Sequence, residues 1–550
     1  MRLTLTGLSS QYIHLPLAPF CLKKAVEKNC PDVEVTLCDL NINDPQEDLL
    51  ERILHTKPDA VGVCMYIWNR EQAVRLMRRI RAVSPETVLI AGGPEATWSA
   101  EETFRQCPVD YLIRGAGEEA LPALLNGLMC HEEIKNIPGV CIRRGDGYVD
   151  GGVAPAPAPR SDIYDDLWQE MRQGRMIYAE TSRGCPFSCA FCLSGQKEKV
   201  RFMPKEEALA MLIRLGQAGC DTVKLIDRTF NCDRERTYFL LSGLMDAHAR
   251  GEISSVCYHL EVAADLFDDK TLDLLKTAPA GLFQMEAGLQ SFHPETLDAC
   301  HRRTDMALLQ DRLRRLIAPG NVHLHIDLIA GLPEEDYATF RDSFNQAWEL
   351  HPHQLQLGRL KLIHGSALRA QDWGQRYAPD PPYEVLSTPW ISYEELQKLQ
   401  HCAEAVERLK NSARFEETLR LALNTLPLTP FDLMMALGEK MAQRQGRWSL
   451  DALTEMVHGA LLVWQVPADQ LRDAMVTDRL ATDNTGYLPP FLQRPEDKPA
   501  LKSWREAHPE HKKARLALLS DGQGVLIAEW SEKHPVTGRG IVEKTVLLQG

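Results

Sequence analysis

Apolar and polar positions along the first 130 residues follow the rhythm of strands succeeded by helices. Arg2–Gly7 alternates with period two, gives way at Gly7-Leu8-Ser9-Ser10 to the loop Gln11–Pro19, and passes to helical spacing over Phe20–Asn29. The theme returns with strands at Val33–Asp39, Ala60–Met65, Thr87–Ala91 and Asp110–Arg114, and helices at Glu47–His55, Arg70–Val83 and Glu118–Leu128. Five strands alternating with helices predict a Rossmann-like open parallel sheet over residues 1–150. Val153–Arg160, an Ala/Pro alternation that cannot continue a helix or an interior strand, marks a linker over 151–174.

Beyond it, strands at Arg175–Thr181, Thr222–Asp227, Val256–Ala263, Leu282–Leu289, Val322–Ile329 and Leu355–Leu360 alternate with helices such as Lys205–Ala218, Arg234–Arg250 and Tyr337–Leu350. Six such units predict a partial (β/α)6 TIM-like barrel over 175–376, with its site at the carboxyl ends of the strands. The alternation stops near Tyr377. Helical patterns at Tyr393–Leu409, Ala413–Leu423, Pro430–Gln445 and Leu450–Trp464, then short strands within Ala514–Ile527 and Gly540–Leu548, predict a mostly helical domain over 377–550. The fold class is α/β.

The unusual residues stand at the predicted carboxyl ends. In the barrel, Glu286, Gly288 and Gln290 share one face of the fourth strand, and His323, His325 and Asp327 share one face of the fifth. Polar groups in apolar strands must bond to one another or meet a polar ligand, and their recurrence near successive strand ends favours the ligand. The first barrel strand delivers Thr181–Gly195, with Cys185, Cys189 and Cys192 in a C-x3-C-x-Φ-C pattern whose aromatic is Phe191. Gly184, Pro186 and Ser188 supply the turns that curl three thiolates onto one metal centre. Structural zinc wants four ligands, and no fourth Cys or His stands nearby in sequence. A four-iron cluster on three cysteines keeps one iron open to a ligand. Zinc and a plain buried cysteine group are the alternatives.

Bulk properties narrow the classes. The 550 residues carry 62 Lys+Arg against 76 Asp+Glu, a net charge of -14 that argues against a large nucleic-acid footprint. Fifteen cysteines, an odd number mostly standing singly, suit a reducing cytoplasm better than a disulfide framework. Charged and polar residues interrupt every apolar run before membrane-spanning length, so a cytoplasmic protein without a membrane association is expected.

The cysteine pattern resembles that of the radical S-adenosylmethionine (SAM) enzymes, in which three cysteines hold a 4Fe-4S cluster and the open iron binds SAM. His259-Leu260-Glu261-Val262 is similar to the third-strand segment whose Glu meets the SAM amino acid moiety, and Glu286-Ala287-Gly288-Leu289-Gln290-Ser291-Phe292 to the Gly-x-Gln-Ser segment that reaches the ribose. Asp327-Leu328-Ile329-Ala330-Gly331 is similar to the fifth-strand segment whose Asp holds a ribose hydroxyl and whose Gly lets the backbone pass the adenine. The resemblance implies SAM contacts at Phe191, Asp227, Glu261, Glu286, Gln290, Ser291, Asp327 and Gly331.

The first 130 residues resemble the cobalamin-binding domain that precedes the core in one radical SAM subfamily. Four loops carry that resemblance and imply cobalamin contacts at Tyr12, His14 and Pro16; Tyr66, Trp68 and Asn69; Gly92, Gly93, Pro94 and Glu95; and Gly115, Gly117 and Glu118. Asp39-Leu40-Asn41-Ile42-Asn43-Asp44 stands where the cobalamin mutases place Asp-x-His-x-x-Gly, so the histidine ligand of those proteins is missing there. The implied activity is reductive cleavage of SAM and, with cobalamin, methylation of an unactivated carbon in a small-molecule or peptide substrate, the electron coming from a donor such as flavodoxin or ferredoxin. Rearrangement, cyclisation or oxidation without methyl transfer is the second reading. An iron–sulfur redox sensor is the non-enzymatic one.

Overall fold

In the computed structural model, which describes residues 1–131, 133–165, 176–194, 199–253 and 255–546, the leading strand Arg2–Ser9 lies between Glu34–Asn41 and Ala60–Cys64. The sheet continues through Val88–Gly92, Tyr111–Ile113, Val140–Arg144 and Gly147–Val149. Its first five strands in chain order run parallel, as the alternation predicts; the last two form an antiparallel hairpin on the edge. That hairpin escapes the sequence reading because its strands are short and carry Arg143 and Arg144 beside the Gly145-Asp146-Gly147 turn.

Period-two alternation gives the sheet two apolar faces. Leu8, Val61, Val63, Leu89 and Ala91 pack with residues of the helices Gln46–His55 and Arg70–Val83. Leu3, Leu5 and Ile90 pack with residues of Leu17–Asn29 and Gly117–Met129. Because Arg2–Ser9 has neighbours reached by crossovers on both sides, the strand order reverses there. A parallel sheet opens a crevice at the carboxyl ends of such strands.

Two compact units divide the chain. One holds Met1–Leu274, Cys300–Arg303 and Leu360–Val385; the other holds Leu275–Ala299, Thr304–Arg359 and Leu386–Gly550. All six expected barrel strands form, three in each unit. In the first unit, Ile177–Ala179, Thr222–Leu225 and Cys257–Val262 run parallel. In the second, Phe283–Gln290, His323–Ala330 and Gln354–Arg359 do the same. The division falls inside the expected 175–376 core. Residues 166–174 of the expected linker, Arg175 of the first strand, Gly195 of the cysteine loop and the last two residues of the expected terminal strand lie outside the described residues. The Ala/Pro stretch is anchored: Ala154 donates its N–H to the Arg114 carbonyl at 2.9 Å.

The C-terminal part is mainly helical, with helices at Tyr393–Ala405, Glu416–Thr425, Pro430–Ala442, Leu450–Val463, Ala468–Thr482 and Lys498–Ala507, and a three-stranded antiparallel sheet from Arg515–Leu518, Gly524–Lys533 and Gly540–Val546. Ser392 and Glu395 form a capping box at the first of these helices. Ala468–Thr482 is missed by apolar periodicity because it buries Arg472, Asp478 and Arg479 among its apolar residues. Asp478 offsets that cost by accepting from the Glu417 and Thr418 N–H groups and from Arg539.

Candidate active site in two clusters of residues

The cysteine loop grows from a small antiparallel pair, Ser182–Arg183 with Arg201–Phe202. Gly184 follows with φ +96°, where a side chain would also come within 3.3 Å of the Lys199 carbonyl, so the turn demands glycine. Cys185 and Cys189 are buried and Cys192 is half-buried. The Cys192 N–H donates to the Cys189 carbonyl at 3.1 Å and closes the turn between the two thiols. Each sulfur has a polar neighbour: Thr229 Oγ1 at 3.5 Å from Cys185, the Ser194 N–H at 3.4 Å from Cys192, and Arg302 at 3.6 Å from Cys189. Three thiols in one loop, two met by N–H donors and one by a hydroxyl, match the donor set of a thiolate-held cluster.

Asp227 braces the start of this loop. Its buried carboxylate accepts from the Thr181 N–H at 2.7 Å, the Thr181 hydroxyl at 2.5 Å and the Ser182 hydroxyl at 2.8 Å. Burial pushes its pKa above the ordinary range, against the pull of those bonds. Both oxygens are thus spent on the protein's own backbone and hydroxyls. Phe191 and Glu261 are half-buried. Arg183 donates to Glu118 at 2.6 Å and to Glu180 at 2.8 Å, and burial of Glu180 pushes its carboxyl up to about 7.

A cavity of about 390 Å³ beside the loop is lined by Cys189 and Cys192 and by Gly365, Ser366, Ala367, Arg369 and Ala370. The Leu368 N–H donates to the Ala190 carbonyl at 2.9 Å. Sequence reasoning missed this segment and Arg302; the His364-Gly365-Ser366 turn after the sixth strand and the His301-Arg302-Arg303 run were the available signals.

In the second unit, His325 lies between two carboxylates. Its Nε2 is 3.0 Å from Asp327 Oδ1 and its Nδ1 is 4.0 Å from Glu286 Oε2. Burial raises the Asp327 pKa, with the imidazole opposing the shift and Glu286 adding to it. A bulge separates Gly288 from Gln290, and Gln290 takes φ +75°. Its amide folds back so far that a Cβ on Gly288 would lie 2.5 Å from Gln290 Nε2, so a larger residue there would displace that amide. Among the described residues Gln290 Oε1 is buried without a hydrogen-bond partner, an acceptor open to a ligand. Gly331 ends the next strand at φ +90°.

Ser291 serves the fold. Fully buried, it donates to Glu335 Oε1 at 2.5 Å and accepts from the His293 N–H at 3.0 Å. Burial pushes the Glu335 carboxyl up to about 8.

The expected cobalamin loops divide by task. Around the crevice, Tyr12 and Trp68 are exposed. Tyr66 and Trp68 stack with ring centres 4.4 Å apart, and Trp68 Nε1 donates to the Leu8 carbonyl at 3.2 Å. Tyr12 donates to Asp44 at 2.7 Å. These flat apolar faces at the strand-order reversal suit a large planar ligand.

The other residues in these loops have partners within the protein. Asn69 is buried and spans the crevice floor, donating to the Leu8 and Cys64 carbonyls at 3.1 Å. His14 Nδ1 lies 2.8 Å from the Tyr178 hydroxyl, and Pro16 precedes the helix Leu17–Asn29. Glu95, next to Pro94 at the start of its short helix, is buried against Arg70 and accepts from the Tyr383 hydroxyl at 2.9 Å. Gly93 and Gly115 are required by packing against the Met65 and Ala154 backbone, where added side chains would come within 2.6 and 2.3 Å, and a side chain at Gly117 would displace the tip of Leu22, 2.7 Å away. Gly92 is more open, its nearest neighbour being Ile113 at 3.8 Å.

Three families match in succession: the B12 binding domain over residues 3–125, the radical SAM superfamily over 179–347, and a protein family of unknown function, DUF4080, over 371–536. The chain thus carries a B12-binding domain followed by a radical SAM domain. Among individual proteins, it is 27% identical over 364 residues to the cobalamin-dependent radical SAM methyltransferase TokK of Streptomyces tokunonensis, covering 62% of this chain and 52% of TokK. It is 25% identical over 325 residues to the anaerobic magnesium-protoporphyrin IX monomethyl ester cyclase of Cereibacter sphaeroides, covering 56% of this chain and 52% of that one. The chain thus spans about half the length of these curated relatives.

In structure it resembles the radical SAM methyltransferase TsrM of Kitasatospora setae, with TM-score 0.58, 16% identity and coverage of 70% of this chain and 80% of TsrM. It also resembles the cobalamin-dependent radical enzyme OxsB, with TM-score 0.59, 14% identity and coverage of 87% and 79%. At these identities the likeness is one of fold. Among the described residues no helix is long and apolar enough to cross a membrane.

Proposed function

We propose that this chain is a radical SAM enzyme with domains at 1–150, 175–376 and 377–550 joined by a linker at 151–174, and that it methylates an unactivated carbon of a small-molecule or peptide substrate. The observation that carries the reading is the cysteine loop, where three thiols stand together with N–H groups turned on the sulfurs of Cys189 and Cys192 and a hydroxyl beside that of Cys185. The exposed Trp68 face at the sheet crevice and the TokK similarity support cobalamin as the second cofactor.

In this reading Cys185, Cys189 and Cys192 hold the 4Fe-4S cluster. Glu261, Glu286, Gln290, Asp327, Gly331 and Phe191 hold SAM. When bound, these groups supply a 5′-deoxyadenosyl radical for hydrogen removal, and cobalamin supplies a methyl group. The residues do the placing. Gln290 offers its unoccupied Oε1, and His325 stands between Asp327 and Glu286, 3.0 and 4.0 Å from their carboxylates. Asp227, by tying Thr181 and Ser182, holds the stretch that leads into Cys185. Fifteen free cysteines suit a reducing cytoplasm, where a flavodoxin- or ferredoxin-type donor is at hand. The cyclase similarity favours oxidative ring formation as the second reading.

Anaerobic reconstitution with iron, sulfide, hydroxocobalamin and methyl-labelled SAM tests the proposal. The expected products are 5′-deoxyadenosine and S-adenosylhomocysteine, and Cys185→Ala abolishes the former while cobalamin binding persists. Deoxyadenosine without S-adenosylhomocysteine or label transfer overturns methylation and leaves the cyclase-type reading.

A further inference from the structure

The stretch Cys300–Arg303 is the only part of residues 275–359 that belongs to the first unit. It is bound to the cysteine loop by its backbone: the Ala190 N–H donates to the Cys300 carbonyl at 2.9 Å, and Cys300 is fully buried. This anchor sets Arg302 two residues further on, with its guanidinium directed at the sulfur of Cys189 at 3.6 Å. Cys189 is 7% exposed and Arg302 is half-buried, so the contact is partly shielded from water, where charge acts more strongly than at the surface. The residue is an arginine in a chain of net charge -14.

We infer that Arg302 is a positioning residue that tunes the reduction potential of the metal cluster held by Cys185, Cys189 and Cys192. The inference rests on the function proposed above. Adding one electron to a thiolate-held cluster adds one negative charge, with no bond made or broken in the protein. A hydrogen-bonding cation at a ligand sulfur stabilises the reduced form more than the oxidised form, because the charge it faces has grown. Arg302 therefore moves the cluster into reach of a weaker reductant. The Ser194 N–H on Cys192 acts in the same sense as a neutral donor.

The test is a redox titration of the reconstituted full chain with dithionite and mediators, following the reduced-cluster EPR signal per iron. It compares wild type with Arg302→Lys, Arg302→Gln and Arg302→Glu, and with Arg303→Gln as a control on the exposed neighbour. At the wild-type midpoint, Arg302→Gln should lower the reduced-to-oxidised ratio about tenfold, equal to about 59 mV for one electron. Arg302→Lys should stay within about twofold, Arg302→Glu should fall beyond Gln, and Arg303→Gln should not move. Any two variants of different charge at position 302 that assemble the cluster decide the matter. Midpoints that do not follow the charge at 302 overturn the inference and leave the function standing. Absence of any reducible cluster in wild type overturns the function and the inference together.

Discussion

The guanidinium of Arg183 donates to the carboxylate of Glu118 at 2.6 Å, joining the last helix of the N-terminal parallel sheet to the residue two places before Cys185. Both side chains are mostly buried, and Glu180 holds the other edge of the same guanidinium. A residue expected to touch one cofactor thus holds the loop expected to bind the other.

Glu118→Ala leaves a mostly buried guanidinium with one partner in place of two. The cost is about 2 kcal/mol in unfolding free energy, read from the urea midpoint, with Glu118→Gln losing less because its amide oxygen still accepts. Equal stability of all three proteins would show that the bond contributes nothing.

Gly288→Ala places a Cβ where the Gln290 amide now lies, at 2.5 Å from Nε2. The amide must swing away, and with it the unoccupied acceptor. SAM binding measured by equilibrium dialysis on reconstituted protein should weaken about tenfold, a loss of about 1.4 kcal/mol. Unchanged affinity would remove Gln290 from the SAM site.

Glu335 makes stability fall with rising pH. Its carboxyl keeps its proton up to about pH 8 in the folded protein, against an ordinary value of 4.5 in the unfolded chain. Between those limits the folded state holds the extra proton, so unfolding free energy drops by up to about 1.4 kcal/mol per pH unit and levels off above the folded value. Glu335→Gln removes the titration. Urea unfolding across this range should show the variant gaining on wild type as pH rises, whereas parallel curves would mean that Glu335 ionises normally.

Trp68→Ala removes the exposed ring that stacks on Tyr66 at the sheet crevice. Loss of one large aromatic face should weaken hydroxocobalamin binding about tenfold while the far-UV dichroism stays unchanged. A variant that retains cobalamin as wild type does would move the ligand away from this crevice.

Much of the architecture is legible along the chain because it rests on local periodicity. The five parallel strands, the six barrel strands and the cysteine loop all follow from alternation, helical spacing and turn residues over windows of a few residues. The edge hairpin Val140–Val149 and the helix Ala468–Thr482 do not, since charged residues stand at positions that pattern reading takes as solvent. Arg472 and Asp478 are inside only because distant groups satisfy them: Arg472 donates to the Leu518 carbonyl and Asp478 accepts from Thr418.

The site divides the same way. By itself the sequence determined that three cysteines share one loop, that Gly288 and Gln290 stand on one strand face, and that glycine and aromatic residues gather at strand ends, all matters of spacing. Only the tertiary structure decided what each polar side chain is free to do. Asp227 and Ser291 spend their oxygens on the fold, Glu95 and Glu118 face arginines, and Arg302, remote in sequence, reaches the Cys189 sulfur. The physical reason is that a buried polar group takes whichever partner the packed chain brings within about 3 Å, and sequence distance does not limit that choice.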